Sequence, residues 1–321
     1  MRIEQGIISS TCAPDPVPWA AVLPTQYDGN TALPLCLFLH GGTGSHRDLI
    51  GLGSLFEAWF SSGALPPMVV ATAGTGPLDY YLDFPDGSKR WETFLATEFL
   101  SQMRGRFAVG TDRASTLLAG MSMGGLGALK IAFADPELFH AVAVLEPTIE
   151  PSLDTATTTG RNRYFFYPGN GPAILTGPDR DPALVAANNP ANRAIDNADA
   201  IRDSGLAIYI DAADHDTLNL MDGAEFLHRV LWDLDISHEY HLVRGADHVG
   251  ASVVPRLSEA FGFLGESLGP AVPDPAAAGL RSQLRSLWEA AAESDPTMHR
   301  RYGRLLTAPS TRLSAGATKA D

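Results

Sequence analysis

One hexapeptide constrains this chain more than any other stretch: Gly120-Met121-Ser122-Met123-Gly124-Gly125. The aliphatic run 114–119 (ASTLLA) leads into it and a helix-forming run, 127–134 (GALKIAFA), leads out. A strand that turns through Gly-x-Ser-x-Gly into a helix is a nucleophile elbow, and the spacing has a steric cause. A serine on so sharp a turn exposes its hydroxyl and sits in strained backbone. Residues two before and two after it come too close to carry side chains. Gly120 and Gly124 fill those positions. The following helix directs its N-terminus at the serine, where amide N–H groups and the dipole favour negative charge. A glycine-rich turn with an incidental serine has the same local sequence; the strand and helix around it argue for the elbow.

The rest of the chain supplies a sheet for such an elbow. Apolar runs at 35–40 (LCLFLH), 68–73, 141–145, 206–211 and 239–243 read as strands, most of them buried on both faces. Helical periodicity falls between them, at 48–62, 91–106, 219–235 and 251–268. Residues 1–30 are short apolar pieces broken by prolines, as edge strands are. This alternation predicts an α/β fold, a mostly parallel central sheet with helices on both faces. With 321 residues and 45% hydrophobic content the chain can bury one such core with insertions. Residues 150–200 break the rhythm. They are rich in Thr, Asn, Gly, Pro and Asp, around an aromatic knot at 164–167, and read as a cap inserted over the carboxyl edge of the sheet. The expected division is a main domain over 1–268, then at 269–321 a proline-marked linker, a short helix around 280–293 and a disordered polar tail after Ala308.

Composition narrows the function classes. A formal charge of −14 opposes binding to nucleic acid or an anionic membrane through a general field. Cys12 and Cys36 are too few for a disulfide framework or a thiolate metal site, and the histidines lack His-x-x-x-His spacing. Neither a metal nor another cofactor is expected. Residues 1–19 show no charged-then-apolar signal pattern and no run reaches a membrane span, so the expectation is a cytoplasmic protein without a membrane span. A small-molecule substrate is the expected partner, and a homo-oligomer is compatible with the sequence.

A serine hydroxyl needs an adjacent base, itself oriented by an acid. The base expected is His248, in the loop 245–250 (GADHVG) between the last strand and the last helix; His228 falls on a helix, and His238 and His241 at or in a strand. For the acid, Asp211, Asp214 and Asp216 all follow the run 206–211. Asp216 lies far enough into its loop to reach a neighbouring one and is preferred, with Asp214 next. Glu146, at the end of the preceding strand, is a more distant alternative. The strand 35–40 runs into Gly41-Gly42-Thr43-Gly44, where backbone can approach a ligand closely. The Gly42 and Met123 N–H groups would then form an oxyanion hole, although a plain strand-to-helix turn also accounts for the glycines. Trp91, Phe165 and Phe166 are candidates to line a substrate pocket, with core packing the alternative for each.

Three stretches, LFLHGGTG at 37–44, KRWETFLATEFL at 89–100 and GMSMGGLGALKIAFADPELF at 120–139, resemble the esterase family that contains esterase D (S-formylglutathione hydrolase) and the mycobacterial mycolyltransferases. The resemblance spans roughly 30–265 and implies an α/β-hydrolase fold with Ser122 as nucleophile, Asp216 and His248 completing the triad, and Gly42 and Met123 as oxyanion donors. Val249-Gly250 follows the histidine where the family has Ser and an aromatic, and Ala213 stands in place of the usual glycine. The implied activity is a serine carboxylesterase working through an acyl-enzyme. The alternatives are an acyltransferase of the mycolyltransferase type, or a non-catalytic binding protein on a hydrolase fold.

Overall fold

Strands whose every side chain is buried dictate the architecture. β3 (Leu35–Leu39), β4 (Val69–Ala73) and β6 (Ala141–Leu145) have no solvent-facing residue, so both sides of the sheet centre are covered. In this computed structural model, which describes residues 1–153, 182–270, 272–295 and 311–312, they join β1 (Arg2–Ile8), β2 (Val17–Leu23), β5 (Thr116–Met121), β7 (Ala207–Ala213) and β8 (Glu239–Val243). The order is β1-β2-β4-β3-β5-β6-β7-β8. β1 pairs antiparallel with β2 and β2 antiparallel with β4; every other neighbouring pair is parallel. The carboxyl ends of β3, β5, β6, β7 and β8 therefore share one edge, where open α/β sheets bind ligands.

The helices depart from the sequence reading where capping or strain decides. The run 48–62 divides into α1 (His46–Gly51) and α2 (Gly53–Ser62). Ser45 and Asp48 form a capping box that starts α1 early, and Gly63, left-handed at φ 75°, ends α2. The run 91–106 is one continuous helical rod, α3, built of Trp91–Thr93, a π-helical stretch Phe94–Phe99 and Leu100–Arg106. α4 (Met123–Ala134) begins directly at the elbow, and β5 starts at Thr116 because Asp112 caps a 3₁₀ turn at Arg113–Ser115.

Residues 182–204, of which composition assigns those up to 200 to the insertion, fold as α5 (Pro182–Ala187), α6 (Pro190–Asp196) and α7 (Ala198–Ser204). Ala191, Ala194 and Ile201 are buried in the main core, so this part is body rather than cap. The signal was misleading because Asn and Pro, read as loop residues, here start a helix: Asn189 caps α6 and Pro190 opens it. The aromatic knot at 164–167 and most of the tail after Ala308 lie outside the described residues. α8 (Met221–Asp233) and α9 (Val253–Ser267) follow β7 and β8. The chain divides into two units, Met1–Gly265 and Glu266–Asp321. The second holds α10 (Pro275–Ser294), capped by Asp274, and an antiparallel pairing of Thr311–Arg312 with Val272–Pro273.

Candidate active site

Ser122 follows β5 directly and has φ 57° and ψ −118°, a strained conformation for a residue with a side chain. Close packing holds it there. A Cβ on Gly120 would lie 2.2 Å from the Gly124 carbonyl oxygen, and one on Gly124 would lie 2.0 Å from that of Leu39. The turn is laced to β6 as well: the Ser122 N–H donates to Leu145 O at 2.8 Å and the Thr148 N–H to Ser122 O at 3.1 Å. The serine's own amide is thereby engaged, and the next one, that of Met123, stands at the N-terminus of α4.

The glycine loop after β3 lies against the nucleophile, since a Cβ on Gly41 would be 3.7 Å from Ser122 Cβ. The Thr43 N–H donates to Pro77 O at 2.6 Å and the Gly44 N–H to Gly41 O at 3.1 Å, so these two amides are already engaged. Buried His40 pins the loop, with Nδ1 2.9 Å from Gly41 O and Nε2 3.2 Å from Thr75 Oγ1. Burial lowers its pKa, keeping the ring neutral. Tyr81 braces the loop from below, donating its hydroxyl to His40 O at 2.8 Å.

His248 is held by the loops that follow β7 and β8. The Gly245 N–H donates to Asp214 Oδ1 at 2.6 Å, and the Thr217 and His248 N–H groups both donate to Asp247 Oδ1 at 2.7 Å. These bonds cross-tie the loops after β7 and β8. Asp214 is thereby spent on loop structure, and Asp216 is the aspartate that reaches the imidazole, with Oδ2 3.2 Å from His248 Nδ1. Its Oδ1 accepts the Leu218 N–H at 2.6 Å, fixing the carboxylate. Glu146 reaches the same nitrogen: Oε2 lies 2.7 Å from His248 Nδ1, and Oε1 lies 2.6 Å from Arg256 Nη1. Both Glu146 contacts are off the hydrogen-bond axis, so the directional bond to Nδ1 belongs to Asp216. Burial alone would lower the imidazole pKa; Asp216 and Glu146 outweigh it and push the value up to about 9.

Arg256, buried on α9, completes this cluster by pairing with Asp211 through Nε at 2.8 Å and donating to Asp247 O at 3.2 Å. Sequence reasoning gave it no role, since nothing local marks an arginine whose partners are 9, 45 and 110 positions away. Glu146, Asp216 and His248 could each offer a ligand atom to a cation, within 4.8 Å of one another. Arg256 already supplies the positive charge opposite Glu146, which suits this donor set to an imidazolium rather than a metal ion.

Trp91 is buried and donates Nε1–H to Asp79 Oδ2 at 2.7 Å, while still lining a cavity of about 190 Å³ with Thr75 and Lys89. Phe165 and Phe166 lie outside the described residues. Beside Trp91, Glu92 pairs with Arg193 of α6 and, at 3.4 Å, with the fully buried Lys130 of α4. Burial pushes the Lys130 ammonium down to about 8 against the opposing pull of Glu92. This network locks the elbow helix to α3 and α6, and its only trace in the sequence is a lysine in an apolar helix.

Residues 10–253 match the family described as "Putative esterase". No curated protein sequence matches the chain. Among solved structures, the chain is similar to a ferulic acid esterase (20% identity, TM-score 0.68, 84% of this chain and 98% of that one). It is also similar to FphF, a fluorophosphonate-binding serine hydrolase of Staphylococcus aureus (17%, 0.66, 84% and 99%). A third is an S-formylglutathione hydrolase from Agrobacterium tumefaciens (18%, 0.64, 83% and 95%). These likenesses establish the α/β-hydrolase fold. Among the described residues, no helix is long and apolar enough to cross a membrane.

Proposed function

The chain belongs to the esterase family, whose chemistry is carboxylic ester hydrolysis, and from that premise we propose that it works as a serine esterase through an acyl-enzyme on Ser122. The observation that carries the reading is the strained Ser122 at φ 57° on the same sheet edge as the His248–Asp216 pair. Ser122 Oγ attacks the ester carbonyl as His248 Nε2 takes its proton. Asp216 holds the ring through Nδ1 and stabilises the imidazolium that forms. The Gly42 and Met123 N–H groups receive the oxyanion, and the N-terminus of α4 adds its dipole. His248 then returns the proton to the departing alcohol. Water, deprotonated by the same nitrogen, releases the acid and restores the serine. No cofactor enters the cycle, and the substrate is a small-molecule carboxylic ester.

Steady-state and pre-steady-state hydrolysis of p-nitrophenyl acetate tests this. The wild type should show a nitrophenol burst equal to the enzyme concentration, and Ser122→Ala should lose about 10⁴-fold or more of kcat. Wild-type-like turnover in Ser122→Ala would remove the serine from the mechanism.

A further inference from the structure

His248 is faced by two buried carboxylates rather than one. We propose that Glu146 is a second positioning residue, an electrostatic clamp on His248 Nδ1 that acts alongside the directional hydrogen bond from Asp216. The proposal rests on the serine-esterase reading and adds to it a residue that reaches the reaction only through the imidazole.

Three observations carry it. Glu146 Oε2 is 2.7 Å from Nδ1, nearer than Asp216 Oδ2 at 3.2 Å, and its side chain is fully buried. Its backbone is held at φ 44°, a conformation costly for a glutamate, by the bond from its own N–H to Asp211 O at 2.7 Å and by the bonds lacing Leu145 and Thr148 to Ser122. The carboxylate is therefore built into the same frame as the nucleophile. Finally, its second oxygen is met by Arg256 Nη1 at 2.6 Å, and Arg256 is itself anchored by Asp211. A buried carboxylate needs a countercharge; this guanidinium supplies it on one oxygen while the other oxygen faces the ring. The charged groups around the imidazole are then Asp216 from the loop after β7, Glu146 from the end of β6, Asp247 from its own loop, and Arg256 of α9 with Asp211 of β7 behind it.

Two consequences follow. With two anions on one nitrogen, the imidazolium is stabilised beyond what a single acid provides, so the base is freed only at alkaline pH. And either acid alone retains part of the hold on the ring, so loss of Asp216 is less severe than in a site with one acid.

The test is the pH dependence of kcat/KM for p-nitrophenyl acetate in the wild type, Glu146→Gln, Asp216→Asn and the double variant, with His248 titrated by NMR in each. Glu146→Gln should move the midpoint at least one pH unit toward acid. Asp216→Asn should keep a midpoint above about 7.5 and a residual kcat/KM at least tenfold above the double variant. A Glu146→Gln midpoint equal to that of the wild type would overturn the proposal. Where Glu146→Gln does not fold, Asp216→Asn decides alone, since a His248 midpoint fallen to the ordinary value near 6.5 would show that Glu146 exerts no pull. Failure of the underlying reading looks different: hydrolysis would then be indifferent to Ser122→Ala in all backgrounds.

Discussion

Replacing Gly124 by alanine tests how tightly the elbow is built. The new Cβ would stand 2.0 Å from Leu39 O, 2.5 Å from the carbonyl carbon behind it and 2.7 Å from His40 O. All three are backbone atoms of a central strand and its glycine loop, so no side chain can rotate aside. For ordinary contact, α4 must recede from β3 by about 1.4 Å. Ser122, two residues earlier, moves with it, and the carbonyls of Leu39 and His40 carry the Gly42 donor in the opposite direction. Displacements near 1 Å between reacting groups cost about 10²-fold in rate. Overpacking against immovable backbone costs about 3 kcal/mol, which lowers Tm by roughly 6–12 °C in a domain of this size. Gly105→Ala is the control, since a Cβ there meets nothing within 4 Å in the last turn of α3. It should leave activity unchanged and raise stability by about 0.5–1 kcal/mol. The assay is p-nitrophenyl acetate hydrolysis with thermal unfolding followed by circular dichroism. Gly124→Ala with wild-type kcat and Tm would refute the steric account of the elbow.

Three further outcomes are expected. Because the neutral imidazole is the base and Asp216 and Glu146 push its pKa up to about 9, kcat/KM should climb roughly tenfold per unit between about pH 6 and 8 and level only above about 9; a plateau reached by pH 7.5 would contradict it. Arg256→Met leaves the Asp211 and Glu146 carboxylates buried without their cation and should cost about 3–5 kcal/mol by urea denaturation at pH 8. The loss should shrink toward pH 5, because burial raises the Asp211 pKa and without its cation that carboxyl can take up a proton there; a pH-independent or negligible loss would mean the cluster is not held by charge. Asp214→Asn keeps an acceptor for the Gly245 N–H and should reduce kcat less than tenfold, whereas a loss as large as that of Asp216→Asn would make Asp214 the orienting acid.

The elbow, the glycine loop after β3 and the histidine loop after β8 were legible because each is a local pattern: glycines at fixed offsets from a serine, or a histidine between a strand and a helix. The central strands were legible for the same reason, since continuous apolar runs mark strands covered on both faces, whereas their order in the sheet came only from the structure. The choice between Asp214 and Asp216 was harder. Both sit in one loop, and only the third dimension shows that Asp214 is taken up by Gly245 while Asp216 turns to His248. Glu146 left a faint trace, a carboxylate directly after the fully buried run Ala141–Leu145, where a charge must find a partner. Its partner Arg256 could not be inferred from sequence, because the pairing spans β6, β7 and α9. The break at Leu52 and the π-helical stretch from Phe94 were missed because they depend on capping and tertiary packing rather than on hydrophobic period. The packed helices at 182–204 were missed because their Asn, Pro and Asp content reads as loop, although Asn189 and Pro190 in fact start a helix.

The central claim, that Ser122 is the nucleophile driven by His248, is tested most directly by mapping the site of covalent capture. The protein is treated with a fluorophosphonate, digested, and the phosphonylated residue located by tandem mass spectrometry, alongside Ser122→Ala and His248→Gln. A single adduct on Ser122 is expected, absent from Ser122→Ala and formed at least about 10²-fold more slowly in His248→Gln. An adduct on another residue, or ester hydrolysis that persists in Ser122→Ala with no adduct formed, would contradict it.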